Sequence, residues 1–176
     1  MDMTAWHEEA ISKHHDRKNF DCGDAELNDF LKKYARQSHD QGGSKTFLAV
    51  SDEDNRHILG FYSLTPTSID PEKVPTAVRR GLGRHEVPGF RLTRLAVDRR
   101  QQGKGMGGQL MVAAGKRCLR AASEVGGVVL AIDAKNDRVA EWYKAYGAIP
   151  LVDSPVSLAI PLTTMEEALK AAGHTL

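Results

Sequence analysis

A glycine-rich loop between two strongly patterned segments constrains the fold of this 176-residue chain more than any other feature. Residues 90–98 (FRLTRLAVD) before it are typical of a strand, and residues 103–123 after it predict a long helix with one apolar face. Glycines allow sharp turns and a close approach of the backbone to a ligand, and the first amides of a helix have no intrahelical partner. The loop therefore predicts an anion site at the start of the helix, suited to a pyrophosphate.

The rest of the chain predicts one α/β (α+β) domain over residues 1–176, a mixed twisted sheet flanked by helices. Leu27, Phe30, Leu31 and Tyr34 recur at helical spacing, so we expect a helix within 23–40 with Asp24 as its N-cap. The other segments predict four strands, two helices and one irregular crossing. The strands are a hairpin of 45–51 with 57–67, a buried strand at 127–133 and a strand at 156–161; the helices are 137–146 and 163–172; and the crossing, 68–89, carries at most a short helix.

Charge and composition exclude several classes of protein. The 24 Lys and Arg against 23 Asp and Glu give a net charge of +1, which argues against bulk, sequence-blind binding of nucleic acid. Two cysteines give no disulfide framework, and the seven histidines lack metal-ligand spacing, so we expect no metal site. No apolar run approaches the roughly 20 residues of a membrane span, and the first residues lack a signal-peptide pattern. We therefore expect a cytoplasmic protein with no membrane partner.

Three phosphate-binding patterns can be compared with the loop. A Walker loop fails, because Gly103-Lys104 is followed by Gly105 and not by Ser or Thr. A dinucleotide fingerprint fits the glycine spacing, but it belongs in the first βαβ unit and here lies past the middle of the chain. The third pattern fits best: Gln102-x-x-Gly105-x-Gly107 resembles the R/Q-x-x-G-x-G/A loop of GNAT-type N-acetyltransferases.

The resemblance implies a GNAT acyl-CoA N-acyltransferase fold, with acetyl-CoA as co-substrate. In that family the loop holds the pyrophosphate, and the end of the preceding strand pairs with the pantetheine arm while the next strand splays away. A backbone amide, here that of Val97, would then face the developing oxyanion. The residues that the resemblance assigns to acetyl-CoA are Leu95, Ala96, Val97, Gln102, Gly103, Lys104, Gly105, Met106, Gly107, Gly108 and Asn136.

Tyr143 is the candidate catalytic residue. Acetyl transfer needs a proton donor for the departing thiolate, and a phenol with a pKa near 10 suits that role. The resemblance places a tyrosine here, on the helix after the splayed strand, and Tyr146 lies almost one turn further on as a rival. No general base is evident from the sequence. An α-amino group titrates near 8, so such a substrate could arrive already neutral, whereas a lysine side chain would need help.

A narrower resemblance covers nearly the whole chain. Residues 19–24 (NFDCGD), 60–64 (GFYSL), 94–98 (RLAVD) and the pair Trp142-Tyr143 are similar to toxins of bacterial toxin–antitoxin modules that acetylate aminoacyl-tRNA. In that branch the tyrosine matching Tyr143 is catalytic, and acetylation of the α-amine blocks translation. The resemblance implies a ribbon-helix-helix antitoxin as partner, and a homodimer.

Basic residues that could follow tRNA phosphates are spread along the chain. They are Lys32, Lys33, Arg36, Arg79, Arg80, Arg84, Arg91 and Arg94. We expect Arg94, in mid-strand, to pair with a carboxylate or to face the ligand, because an unpaired buried charge is costly. Two other functions stay open: acetylation of a small amine or of a protein N-terminus or lysine, and a non-catalytic CoA-binding regulatory module.

Overall fold

The apolar runs assemble into one mixed sheet, which a computed structural model describes over residues 4–79, 81 and 85–176. Within these residues the strand order is β1-β2-β3-β4-β5-β7-β6. The strands are β1 (Trp6–Ala10), β2 (Lys45–Ser51), β3 (Ile58–Ile69), β4 (Val87–Val97), β5 (Val129–Asp133), β6 (Ile149–Leu151) and β7 (Ser154–Pro161). The only parallel pair with a described register is β4 with β5, and the other registers are antiparallel. The expected mixed sheet is confirmed.

Helices precede, follow and connect the strands. They are α1 (Ala25–Asp29), α2 (Ala35–Gln41), α3 (Thr76–Arg79), α4 (Met106–Val125), α5 (Asp137–Lys144) and α6 (Leu162–Ala171). A π-helical turn, Phe30–Tyr34, joins α1 to α2, and 3₁₀ turns occupy Pro71–Lys73 and Arg99–Gln101. No helix among the described residues combines the length and apolarity needed to cross a membrane.

The predicted hairpin and the predicted buried strand are both confirmed. β2 and β3 pair antiparallel from Lys45↔Leu64, with a register shift at Ala49/Val50. β5 is buried from Val129 to Ile132, as its continuous apolar run indicated. Its parallel register with β4 runs from Gly89↔Val129 to Leu92↔Ile132. The resemblance also implies that β4 and β5 separate beyond these pairs, and this separation stays a prediction.

The structure adds detail that the sequence did not predict. The crossing predicted at 68–89 is shorter than expected, because β3 continues to Ile69 and β4 already begins at Val87, and it carries the short helix α3 that was allowed for. Asp70 starts the 3₁₀ turn between them by accepting the Glu72 N–H at 3.0 Å. Strands β1 and β6 were not predicted at all. β1 (WHEEA) is a polar edge strand that depends on its pairing with β2, so its own pattern is weak.

The helix expected over 23–40 is confirmed, but it contains a π turn, and Tyr34, which recurs at helical spacing with Phe30 and Leu31, lies outside the core. Asp24 is the N-cap as expected, with its carboxylate accepting the N–H groups of the next turn. Phe30 and Leu31 are buried, whereas Tyr34 is 60% exposed. The π turn adds one residue to the helical repeat, so Ala35 occupies the core position that regular helical spacing would give to Tyr34.

The described residues form two compact units, each with its own core. The first comprises Met1–Thr65 with Thr93–Ala113, and the second Pro66–Leu92 with Ala114–Leu176. Buried residues of the first core are Ile11, Phe20, Phe30, Leu31, Ala35, Leu48, Val50, Ile58, Phe61 and Ala96. Buried residues of the second are Ile69, Val74, Val78, Val87, Val129, Ala131 and Ala159. The assignment of 1–176 to one domain stays a prediction.

Candidate functional site

The glycine loop, Gln102–Gly105, has the geometry of an anion cradle. Gly103 and Gly105 take φ values of +78° and +91°, a region that favours glycine, and a Cβ added at either would meet no described atom within 4 Å. At the start of α4 the first N–H that donates to a carbonyl of the preceding turn is that of Gln109, which reaches the Gly105 carbonyl at 3.2 Å. The amides of Met106, Gly107 and Gly108 therefore lack an intrahelical partner. A pyrophosphate fits this open backbone and the positive end of a 20-residue helix.

Gln102 holds the loop through its side chain. Its amide nitrogen donates to the Val97 carbonyl at 2.8 Å, at the end of β4, and to the Cys22 carbonyl at 2.9 Å. Because both amide hydrogens are used inside the protein, the side chain fixes the loop conformation. Met106 is buried, so only its backbone could serve a cofactor, and Lys104 is half-buried.

Asp98 joins the glycine loop to the N-terminal segment. The residue is 2% exposed, and its carboxyl accepts the Asp21 N–H at 3.2 Å and the Arg100 N–H at 3.0 Å. In return the Arg99 N–H donates to the Asp21 carbonyl at 2.8 Å, and Arg99 forms an ion pair with the Asp21 carboxylate at 3.3 Å. One buried carboxylate thus connects the motifs NFDCGD and RLAVD. This connection was not predicted, although an Asp directly after an apolar strand is a signal for it.

The end of β4 lies close to β3. A Cβ on Gly60 would lie 2.9 Å from the Ala96 carbonyl and 2.9 Å from Leu110 Cδ1, so only glycine fits this approach. Ala96 is buried, and Leu95 and Val97 are half-buried. This packing fixes the strand that the resemblance assigns to the pantetheine arm. The pairing with that arm, and the oxyanion role of the Val97 amide, stay predictions.

Tyr143 lies on α5 with its ring buried and 7% of its surface exposed. Asn136 caps this helix, its side-chain oxygen accepting the Val139 N–H at 3.0 Å. Burial raises the pKa of Tyr143 above that of an ordinary phenol, which is itself protonated near neutral pH. The rival Tyr146 is half-buried and packs with its ring centroid 4.8 Å from that of the exposed Trp142. Of the two tyrosines, Tyr143 is therefore the more deeply buried.

Two of the basic residues predicted to bind tRNA, Arg79 and Arg91, lie in the second unit and donate hydrogen bonds to protein acceptors. Arg91 hydrogen-bonds the Asp133 carboxylate at the end of β5, and also reaches Thr67 Oγ1 at 3.5 Å. Arg91 and Asp133 belong to the lining of a cleft of about 320 Å³. Arg79 donates to the Pro71 carbonyl at 3.2 Å. Arg80 and Arg84 lie outside the described residues.

The basic residues of the first unit have three different environments. The guanidinium carbon of Arg94 lies 3.8 Å from the centre of the Phe30 ring, and the expectation that Arg94 meets a carboxylate or the ligand stays a prediction. Burial lowers the pKa of Arg94, while the charge of Glu26 acts the other way. Lys33 and Arg36 form ion pairs with Asp29 and Asp40 at 3.7 and 3.5 Å. Lys32 is half-buried beside the exposed Lys33.

Three side chains near β1 form a cluster that the sequence spacing did not indicate. Potential ligand atoms of Glu9, His14 and His15 lie within 4.8 Å of one another. The Ser12 N–H donates to His15 Nδ1 at 3.0 Å, so Nε2 carries the proton and donates to Glu9 at 3.1 Å. A metal at His15 Nε2 would require the loss of that proton. The geometry favours a hydrogen-bond network here.

The comparisons with known proteins agree with this geometry. Residues 4–148 match the family model of the acetyltransferase (GNAT) family. A protein of Mycobacterium tuberculosis named tRNA-acetylating toxin is 37% identical over 133 residues, 76% of this chain and 78% of that protein. A structure of AtaT complexed with acetyl-methionyl-tRNAfMet is similar at a TM-score of 0.87 and 27% identity, covering 94% of this chain and 99% of that one.

A second solved structure adds a cofactor and a partner to the comparison. It is a tyrosine-to-phenylalanine mutant of the AtaT toxin, bound to the C-terminus of the antitoxin AtaR and to acetyl-CoA. Its TM-score is 0.79 at 27% identity, and the match covers 94% of this chain and 99% of that chain. On the match over residues 4–148 and the 37% identity to an acetylating relative, this chain belongs to the GNAT family of acetyltransferases.

Proposed function

We propose that this chain acetylates the α-amino group of the amino acid on charged tRNA, with acetyl-CoA as donor, and thereby blocks translation as the toxin of a toxin–antitoxin pair. The observation that carries the proposal is the 37% identity to a tRNA-acetylating toxin over 76% of the chain. The similarity to AtaT in complex with an acetylated methionyl-tRNA supports the same substrate class.

The first unit would bind the donor. The open backbone at Gly103 and Gly105 and the unpaired amides of α4 offer hydrogen bonds to the pyrophosphate of acetyl-CoA. Gln102 would act by holding this loop, and Leu95, Ala96 and Val97 would offer backbone groups to the pantetheine arm. The AtaT mutant with bound acetyl-CoA supports this donor.

Tyr143 would act as the general acid. The neutral amine attacks the thioester carbonyl, the C–N bond forms, and the C–S bond breaks as the tetrahedral intermediate collapses. The Tyr143 hydroxyl gives its proton to the CoA sulfur, and the phenolate is reprotonated by the proton that the substrate nitrogen loses. A phenol is protonated at neutral pH, as a general acid must be, and Tyr143 is largely enclosed by the protein, which supports this role. Asn136 would position Tyr143 by starting the helix that carries it.

The partners belong to the same proposal. The AtaT structure bound to the C-terminus of its antitoxin AtaR supports neutralisation of this chain by an antitoxin. We propose that this antitoxin is of the ribbon-helix-helix type and that the toxin is a homodimer. Induced expression should stop growth, and co-expression of the cognate antitoxin should restore it.

The direct test uses labelled acetyl-CoA and a pool of charged total tRNA. We expect label on the aminoacyl group of one or a few tRNA species. We expect Tyr143→Phe to lower kcat by about 10²- to 10⁴-fold, the usual contribution of a general acid, with little change in acetyl-CoA affinity. Tyr146→Phe is the matched control and should keep most of the activity. Label absent from intact charged tRNA but present on small amines or protein termini would contradict the proposal.

A further inference from the structure

The surface position of Tyr34 is unexplained by packing. Its side chain is 60% exposed, although it continues the apolar series of Phe30 and Leu31, both of which are buried. Exposing a large aromatic ring forgoes the favourable burial that its neighbours gain. Single exposed apolar residues are common on protein surfaces, so the exposure needs a second observation before it indicates a function.

The backbone conformation at this point turns Tyr34 outward. The Ala35 N–H donates to the Phe30 carbonyl, five residues earlier, which defines the π turn. Arg17 then donates from Nη1 to the Lys32 carbonyl at 3.2 Å, inside the same turn. The turn is thus held by a side chain from elsewhere in the fold. Such π insertions within helices are frequent at functional sites.

The charges beside Tyr34 favour an anionic partner. Lys32 and Lys33 directly precede it, and Lys33 is exposed. The ion pair of Lys33 with Asp29 spans 3.7 Å between two exposed groups, so it is weak and a phosphate can compete for the ammonium. A partner that presents only apolar surface would desolvate these ammonium groups without compensation. A nucleic acid offers a base for the ring and phosphates for the lysines.

We propose that Tyr34 is a stacking platform for an unpaired base of the tRNA substrate, with Lys32 and Lys33 binding the adjacent phosphates. The inference rests on the proposed function, because it names a contact of that same substrate. Unpaired bases of RNA stack on aromatic side chains, and loss of one such contact typically weakens binding about 5- to 100-fold.

Tyr34 variants test the proposal through binding of uncharged tRNA, which needs no catalysis. Tyr34→Phe keeps the ring and should bind tRNA like the wild type. Tyr34→Leu keeps an apolar side chain without a π face, and Tyr34→Ala removes both, so both should raise Kd by about 5- to 100-fold. The slope of log Kd against the logarithm of the salt concentration should stay unchanged in Tyr34→Leu. Lys33→Ala should reduce the same slope by about one. Equal melting temperatures would establish that all four variants fold.

The outcomes separate this inference from the proposed function. A wild type that neither binds nor acetylates tRNA contradicts the proposed function. A wild type that acetylates charged tRNA, with Tyr34→Ala unchanged in Kd and KM, overturns the stacking inference alone. A Tyr34→Leu variant that binds tRNA normally also overturns it. So does a Tyr34→Ala variant that loses affinity for the antitoxin and keeps its affinity for tRNA.

Discussion

Replacement of Gln102 by alanine should weaken acetyl-CoA binding by loosening the glycine loop. The substitution removes two hydrogen bonds, of 2.8 Å to the Val97 carbonyl and 2.9 Å to the Cys22 carbonyl. Each is worth about 0.5–1 kcal/mol net, the lower part of the usual range, because the Gln102 side chain is exposed. The folded loop would therefore lose about 1–2 kcal/mol of preorganisation. At 1.4 kcal/mol per tenfold, Kd for CoA rises about 5- to 30-fold.

Calorimetric titration with CoA measures this effect, and a melting curve reports any general loss of stability. Gln102→Glu should be worse than Gln102→Ala, because a carboxylate would face two carbonyl oxygens and stand beside a pyrophosphate. Gln109→Ala is the matched control: its side chain accepts from Trp6 Nε1 at 2.7 Å and holds no part of the loop. Wild-type CoA affinity in Gln102→Ala would refute the reasoning, as would an equal loss in Gln109→Ala.

Two further predictions concern stability. Gly89→Ala would place its Cβ 2.2 Å from the Val129 carbonyl oxygen, a backbone atom that cannot move away, and should cost about 3 kcal/mol or more. In Gly115→Ala the added Cβ meets only a flexible side chain and the helix gains propensity, so denaturant unfolding should show a change within about 1 kcal/mol. Equal losses in the two variants would contradict the packing argument. Burial lowers the pKa of His15, although its hydrogen bond to a carboxylate opposes this. Below about pH 6.5 the unfolded chain binds a proton that the folded state resists, so this contribution to stability falls as pH falls. The free energy of unfolding of the wild type minus that of His15→Gln should shrink from pH 7.5 to 5.5. This difference cancels the opposite contribution of His7, whose pKa is raised by its hydrogen bonds to two carboxylates. If this difference in the free energy of unfolding does not change with pH, His15 titrates alike in the folded and unfolded states.

The elements that could be predicted are those whose signal is local. The buried strand β5 follows from a continuous apolar run, and α4 from a periodic face that begins after glycines. The polar edge strand β1 could not be predicted, because its pairing with β2 supplies the hydrogen bonds that make it a strand. The π turn was missed for a similar reason: the Arg17 contact that holds it comes from another part of the chain.

The candidate site shows the same division between local and tertiary information. The glycine spacing 103–108 and the position of Tyr143 could be read from the sequence, since both depend on residue type and short separations. The expectation that Arg94 meets a carboxylate or the ligand stays a prediction, but the Phe30 ring of the π turn, which lies over its guanidinium, was not predicted. Which side chains are enclosed, as Tyr143 is, depends on neighbours from several elements.

The sequence by itself determined the loop, the order of most elements and the resemblance to acetyltransferases, because periodicity, glycine positions and motif spacing are properties of neighbouring residues. Only the tertiary structure decided that Gln102 and Asp98 tie the loop to residues 21–22, some 80 positions earlier. Only the tertiary structure decided, likewise, that Tyr34 is exposed and that Ala35 is buried in the core. Hydrogen bonds between distant segments arise only when the fold brings donor and acceptor together, and no local pattern specifies them.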